Sequence, residues 1–458
     1  VGREVRALAW AEARASGRRL RPGGAGPLPF PDRPAGTDCL PQVRHIVVLM
    51  MENHSFDNYL GTVGRGDGLP VDGAGQVTAS NPRGDGSPVP AAHLASTVQV
   101  AGVPTQSWDA SHWQWAEGTN TGFASAVEHF TPGGDPARAM GYWTADDLPF
   151  YASLARAFPV ADRWFSSCLG PTIPNRRFLL AATAHGLTTD RVSHCFDYPP
   201  NGTIFDALTH HGISWADYHS VSGAAPLLSH MVGWHGVRAA RFAWHRVERA
   251  LAGVRGDTGR AKSYLQFSAD AFPLGLVRYL RHLRTVDRFC QDAAAGALPA
   301  VSFVDPDFHA TSEENPQDIS FGEAFAARVV NAAMRGADWM GTFIVWCYDE
   351  HGGYYDHVPP PPAVDPGDPP HDASPGAAFD RLGFRVPAVI VSPYARTGYV
   401  SHVARDHTSV LKLIERKWNL PPLTARDAAA DDLLDAVDFD APPAFAVPPT
   451  LAAPRRSG

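Results

Sequence analysis

Two short apolar runs in this 458-residue chain end in side chains that carry oxygen. The first, His45 to Met51, gives way at once to Glu52, Asn53, His54, Ser55 and Asp57; the second, Thr342 to Tyr348, ends in the adjacent carboxylates Asp349 and Glu350, followed by His351, Gly352 and Gly353. A third stretch, GPTIPNRRF, sets Thr172 just after a Gly-Pro turn and two residues ahead of Pro174. If the three meet, Glu52, Asn53, Thr172, Asp349 and Glu350 make a site of carboxylates, one amide carbonyl and one hydroxyl. Such a set suits one hard divalent cation, Ca²⁺, Mg²⁺ or Mn²⁺, better than the nitrogen and sulfur sites that zinc prefers. A cation there would stabilise the alkoxide of Thr172, a poor nucleophile when protonated, and polarise a phosphoryl oxygen. Phosphoryl transfer through a phospho-threonine uses every one of these parts. Each piece alone also has a plainer account: a strand followed by a solvated turn, and a threonine that only caps a helix, worth about 1 kcal/mol.

The elements that must position these groups are legible in the hydrophobic pattern. Both apolar runs read as strands buried on two faces of a parallel sheet, and an open α/β sheet carries its ligands beyond the carboxyl ends of its strands. Pro174 fits the first turn of a helix that continues through Phe178 to Ala184, so Thr172 falls at a helix N-terminus, where free N–H groups and the dipole face any bound anion. Helical spacing recurs at 146–158, 201–212, 274–290, 322–334 and 407–418, and further strands are expected at 159–165, 213–219, 298–304 and 386–391. This alternation predicts an α/β class with a mainly parallel sheet flanked by helices. Residues 1–40 read as a charged helix and a Pro/Gly-rich lead-in, 41–448 as the catalytic domain and 449–458 as a tail. His- and Trp-rich residues 220–271 lack clear periodicity and read as an insertion forming a cap. The Gly/Pro/Asp/Ser-rich loop after the first strand, 64–103, must be pinned or mobile.

Composition narrows the field. A formal net charge of -8 and a pI near 6.2 offer no basic surplus for nucleic acid. No apolar run reaches the eighteen or so residues of a membrane span, and no secretory signal is visible. Five widely spaced cysteines without a CxxC pair argue against a zinc knuckle or a dense disulfide framework, leaving room for one or two disulfides.

Four motifs in order, ENHSFDNYLG, GPTIPNRRF, YDEHGGYYDHVPPP and SHVARDHTSVLKLIE, resemble the bacterial phosphoesterase family that contains phosphatidylcholine-type phospholipases C and an acid phosphatase. The resemblance implies an alkaline-phosphatase-like α/β core, one divalent metal held by the residues matching Glu52, Asn53, Thr172, Asp349 and Glu350, and Thr172 as nucleophile. It implies hydrolysis of phosphate esters, phospholipid head groups first and phosphomonoesters as the alternative, with transient membrane-surface contact and an extracellular or periplasmic location. A non-catalytic protein that binds phosphate or lipid head groups is the competing class. His112 matches a family segment and is expected to contact phosphate; Arg176, His351, His357 and His407 lie inside matched motifs and are expected near substrate, each with a structural hydrogen bond as the other reading. One departure stands out: where the family carries an acidic run and His-Pro, this chain has Glu313-Glu314-Asn315-Pro316, so Asn315 can hydrogen-bond a phosphoryl oxygen but cannot protonate a leaving group. His309, a few residues upstream, is the candidate to take over that proton.

Overall fold

The computed structural model describes residues 24–101, 104–190, 198–220, 279–308, 310–368 and 377–455. The expected N-terminal helix, the body of the expected cap insertion, Cys195 and His309 lie outside the described residues. The fold is mixed α/β, with a large, mostly parallel central sheet flanked by helices. In chain order the sheet strands are β1 (His45–Met51), β2 (Val160–Ala161), β3 (Trp215–His219), β4 (Leu283–Thr285), β5 (Val301–Asp305), β6 (Thr342–Tyr348), β7 (Ala388–Val391) and β8 (Val400–Ser401). Their spatial order is β8-β2-β7-β6-β1-β5-β3-β4. From β6 to β4 every pairing is parallel, while β7 runs antiparallel to both its neighbours.

Strands β1 and β6 sit at the centre because their sequences tolerate nothing else: every residue of both is buried. A continuous apolar run satisfies two packed faces, where an alternating one would leave polar side chains in the core. The pairing runs from His45–Thr342 to Met51–Tyr348, so Glu52 and Asp349 are the first residues beyond the ladder on adjacent strands. The sequence therefore sets two carboxylates side by side as soon as register is fixed.

Helices α1 (Phe56–Tyr59), α2 (Trp108–Trp115), α3 (Phe123–Phe130), α4 (Pro149–Ala157), α5 (Thr172–Ala181), α6 (Ile204–His210), α7 (Val286–Ala294), α8 (Ile319–Met334), α9 (Thr408–Trp418) and α10 (Ala425–Ala429) cover the sheet and its rim. Residues 274–290, expected as one helix, depart from that reading: Leu283–Thr285 forms edge strand β4 beside β3, and Thr285 then caps α7 by accepting the Arg288 N–H. The tertiary edge outcompetes helical spacing there. The strand expected over 159–165 shrinks to two residues for a similar reason, since beyond Ala161 the chain turns to feed the Gly170 loop.

The long loop is pinned rather than loose. It holds a small hairpin, Ser80–Pro82 against Pro88–Pro90, and Gln99 Nε2 donates to the Glu313 carbonyl at 2.6 Å. The described part of the lead-in docks on the end of α9, where Asn419 exchanges hydrogen bonds with Phe30 and Lys417 pairs with Asp38 at 2.7 Å. Cys39, Cys168, Cys290 and Cys347 are free thiols. Among the described residues no helix is long and apolar enough to cross a membrane.

Candidate active site

Pro171, in extended conformation, is the N-cap of α5, and Thr172 is its first helical residue, with no side-chain capping bond. The Thr172 hydroxyl instead faces Asn53, its Oγ1 donating to Asn53 Oδ1 at 3.4 Å, and the residue keeps 8% of its surface open. Asn175, one turn on, locks the approach to the helix: its side chain accepts the Cys168 N–H at 3.0 Å and donates to the Gly170 carbonyl at 2.9 Å. The motif's asparagine thus holds the turn that presents the threonine.

Arg176 gathers the strand ends. Its Nε lies 3.1 Å from Asp349 Oδ2 and 3.7 Å from Glu52 Oε1, while Nη1 donates to Asp305 Oδ1 at 2.6 Å. Glu52, Asn53, Thr172, Arg176, Asp349 and Glu350 therefore share one buried locus. Glu350 Oε2 accepts the Gly352 N–H at 2.7 Å, but its fully enclosed Oε1 accepts no hydrogen bond among the described residues. Burial and then the neighbouring Asp349 push the Glu350 carboxyl well above its usual range. Burial likewise lifts Asp349 to about 7 against the pull of Arg176. A guanidinium shared among several buried carboxylates, with a carboxylate oxygen left over, leaves negative charge that a divalent cation fits.

The histidines divide by position. His351 is buried behind Glu350, its Nε2–H donating to Gln114 Oε1 at 2.8 Å and its Nδ1 3.4 Å from Glu350 Oε2, and burial lowers its pKa to about 3. His407 is buried too; its Nε2–H donates to the Asp349 carbonyl at 2.7 Å, and burial lowers its pKa to about 4. Both act from behind the carboxylates. His357 belongs to another cluster, where Asp57, 2.7 Å away, raises its pKa against the opposing effect of burial, and the buried Arg385 binds Asp57 and Asp356. His112, half-buried on α2, donates its Nδ1–H to the Trp108 carbonyl at 2.8 Å and packs against the Trp108 ring, which in turn rests on Gly170. It reaches the rim of the Thr172 turn through that ring. Asn315 lies beside Tyr354, to which it is hydrogen-bonded.

Several residues of the locus were given no role in it by the sequence reading. Asp190 Oδ1 accepts the Ile173 N–H at 2.9 Å, capping α5 in place of Thr172. Glu314 is lifted to about 7 by burial and then by the charges of Asp190 and Asp349, against Arg176, which places it within electrostatic reach of the site. Asp305 and Gln114 complete the set. Asp190 and Gln114 sit in unremarkable loop and helix sequence, so nothing short of the folded chain could single them out. Asp305 did stand at a strand end and Glu314 in the acidic run before Asn315, the local signals available.

Comparison with known proteins identifies the family. The family model described as "Phosphoesterase family" matches residues 43–421. Phospholipase C B of Mycobacterium tuberculosis is 32% identical over 465 aligned residues, covering 92% of this chain and 81% of that protein. Non-specific phospholipase C6 of Arabidopsis thaliana is 29% identical, covering 91% and 76%. A solved protein of the alkaline phosphatase superfamily from Vibrio parahaemolyticus aligns over 62% of this chain and 64% of its own at 9% identity and a TM-score of 0.34, too loose to carry weight. On the family match and the mycobacterial relative together, the chain belongs to the phosphoesterase family and is a hydrolase of ester bonds.

Proposed function

We propose that this protein is a phospholipase C-type phosphodiesterase that works through a phospho-threonine at Thr172. The observation that carries the reading is the Thr172 hydroxyl at a helix N-terminus, 3.4 Å from Asn53 Oδ1, at the edge of a buried carboxylate cluster. The residues that would hold a hard divalent cation are Glu52, Asn53, Asp349, Glu350 and Thr172 itself. When bound, the cation supplies charge neutralisation and Lewis acidity to the phosphoryl group. This chain's own groups do the rest. Thr172 Oγ1 attacks phosphorus as its proton leaves, the P–O bond to the diacylglycerol breaks, and the leaving oxygen takes up a proton; water then cleaves the phospho-threonine. Arg176 holds Asp349 and Glu52 in place, while His351 and His407 fix Glu350 and the Asp349 backbone from behind. His112 is the candidate to donate to a phosphoryl oxygen from the Trp108 side of the turn. Membrane-surface contact in this reading is transient and lipid-directed. That relatives are named phospholipase C supports a diester substrate over a monoester for this chain.

The test is turnover of p-nitrophenyl phosphorylcholine and of p-nitrophenyl phosphate by the full chain, with and without chelator. The diester is expected to be the better substrate, and chelation to abolish turnover until Mg²⁺, Mn²⁺ or Ca²⁺ is restored. Thr172→Ala is expected to lose activity by at least about 10³-fold with its circular dichroism unchanged, and Thr172→Ser to retain much of it. Near-wild-type turnover by Thr172→Ala would remove the covalent route. A larger rate on the monoester would make the protein a phosphatase.

A further inference from the structure

Asp217, His219 and Asp305 gather on the opposite side of β1 from β6, around the arm of Arg176 that does not face Asp349. The sheet dictates the grouping. His219 at the end of β3 pairs directly with Asp305 at the end of β5, and Asp217, two residues earlier, shares the face of His219. One potential ligand atom from each lies within 4.8 Å of the other two. Together with Arg176, Phe303 and Phe308 the three line a cavity of ≈ 30 Å³, with room for an ion and a water ligand.

Asp217 is the member of this cluster whose charge is least compensated. Asp217 is 1% exposed, and among the described residues its carboxylate meets His219 at Oδ1 while Oδ2 accepts no hydrogen bond. His219 Nε2 stands 3.1 Å from Asp217 Oδ1 in an ion-pair contact, and His219 Nδ1 is 3.9 Å from Asp305 Oδ2, beyond hydrogen-bond length. Asp305 divides its oxygens: Oδ1 takes the Arg176 Nη1–H, and Oδ2 turns towards His219. The other His/Asp cluster, Asp57, Asp356 and His357, differs in that Arg385 already pairs with both of its carboxylates.

We infer that Asp217, His219 and Asp305 form a second cation site, separate from the all-oxygen cluster at Glu52 and Asp349, that takes a divalent transition metal, Zn²⁺ or Mn²⁺. An imidazole with two carboxylates is the donor set that suits these ions better than Ca²⁺ or Mg²⁺, and three protein ligands leave a position for water. Because Arg176 spans Asp305 and Asp349, an ion at this site and the ligands of the first cluster bear on the same guanidinium.

The experiment is metal counting on the full chain, stripped by chelation, equilibrated with Zn²⁺ alone or Mn²⁺ alone, and read by inductively coupled plasma mass spectrometry. A chain carrying Asp349→Asn with Glu350→Gln is expected to retain one equivalent, and His219→Ala in that background is expected to remove it. Should His219→Ala lose its native circular dichroism, the near-isosteric Asp217→Asn serves in its place, and an anomalous difference map at the zinc edge on wild-type crystals is expected to peak between the three side chains. No retained equivalent in the Asp349→Asn, Glu350→Gln chain, unchanged binding after His219→Ala, or an absent anomalous peak would overturn the site and leave His219 simply lying between two carboxylates. A wild-type count of one that His219→Ala abolishes would keep this site and count against the first.

Discussion

Glu314 carries the proton question that Asn315 raises. An asparagine has no proton to give a leaving alkoxide, and Glu314, the preceding residue, is held in its acid form up to about pH 7 by burial and by the charges of Asp190 and Asp349. A carboxyl tuned to that range is suited to protonate a basic leaving group. We expect Glu314→Gln to slow alkyl phosphodiesters by about 10²-fold while leaving p-nitrophenyl esters, whose leaving group needs little protonation, nearly unchanged. In the wild type the alkyl-ester rate should fall as pH rises through about 7, because the acid form is then lost, and Glu314→Gln should abolish that limb. Measuring both substrate classes between pH 5 and pH 9 checks it. An unaltered alkyl-to-aryl ratio would clear Glu314 of the role, and restoration of the ratio by Asn315→His would show that the proton can come from one residue further on.

At the scale of elements, the site depends on two loops passing close to each other beyond the ends of β1 and β6. Gly352 follows Glu350 with φ of +65°, and a Cβ there would lie 1.9 Å from the Asn53 carbonyl oxygen. Both facts demand glycine, since a side chain would pay steric strain at that φ and push directly on the backbone that carries Asn53. We expect Gly352→Ala to cost about 2–4 kcal/mol in urea denaturation and to lower turnover by more than its loss of stability accounts for. Helix α5 works in the same way at its own end. Its dipole and its first turn face the cluster, yet the Ile173 N–H is already taken by Asp190, so the N-terminus is only partly open to an anion.

For the molecule as a whole, the buried Arg385 ties the loops beyond β1 and β6 to the antiparallel side of the sheet. It lies just before β7, binds Asp356 through Nε at 2.8 Å and Asp57 through Nη2 at 3.0 Å, and donates through Nη1 to the carbonyls of Asp67 and Asp162. Those partners come from the helix after β1, the loop after β6, the long pinned loop and the segment after β2. Removing the cation would strand two buried carboxylates. Arg385→Ala is therefore expected to destabilise the fold by about 3–5 kcal/mol, read as a lower urea midpoint, whereas Asp67→Asn, at a partly exposed position, should cost under about 1 kcal/mol. Equal losses from both would show that Arg385 contributes through packing rather than charge.

The sequence by itself determined the central strands, because runs such as HIVVLMM and TFIVWCY bury every residue and fit only the middle of a parallel sheet. It also determined the polar groups at their ends, since Glu52 and Asp349 follow the strands directly, and the family motifs named Thr172 and Arg176. Local pattern could not decide which histidines face the site. His54, inside the first motif, stacks between Tyr59 and Tyr354 and is buried to a pKa of about 3, while His351 and His407 support carboxylates from behind. Nor could it join Asp217, His219, Asp190 and Glu314 to the strand ends. Those contacts depend on which strands lie side by side and in what register, and on long-range burial that sets charge and protonation. Spacing along the chain encodes the period of an element, but the meeting of residues a hundred positions apart is decided only when the sheet closes around them.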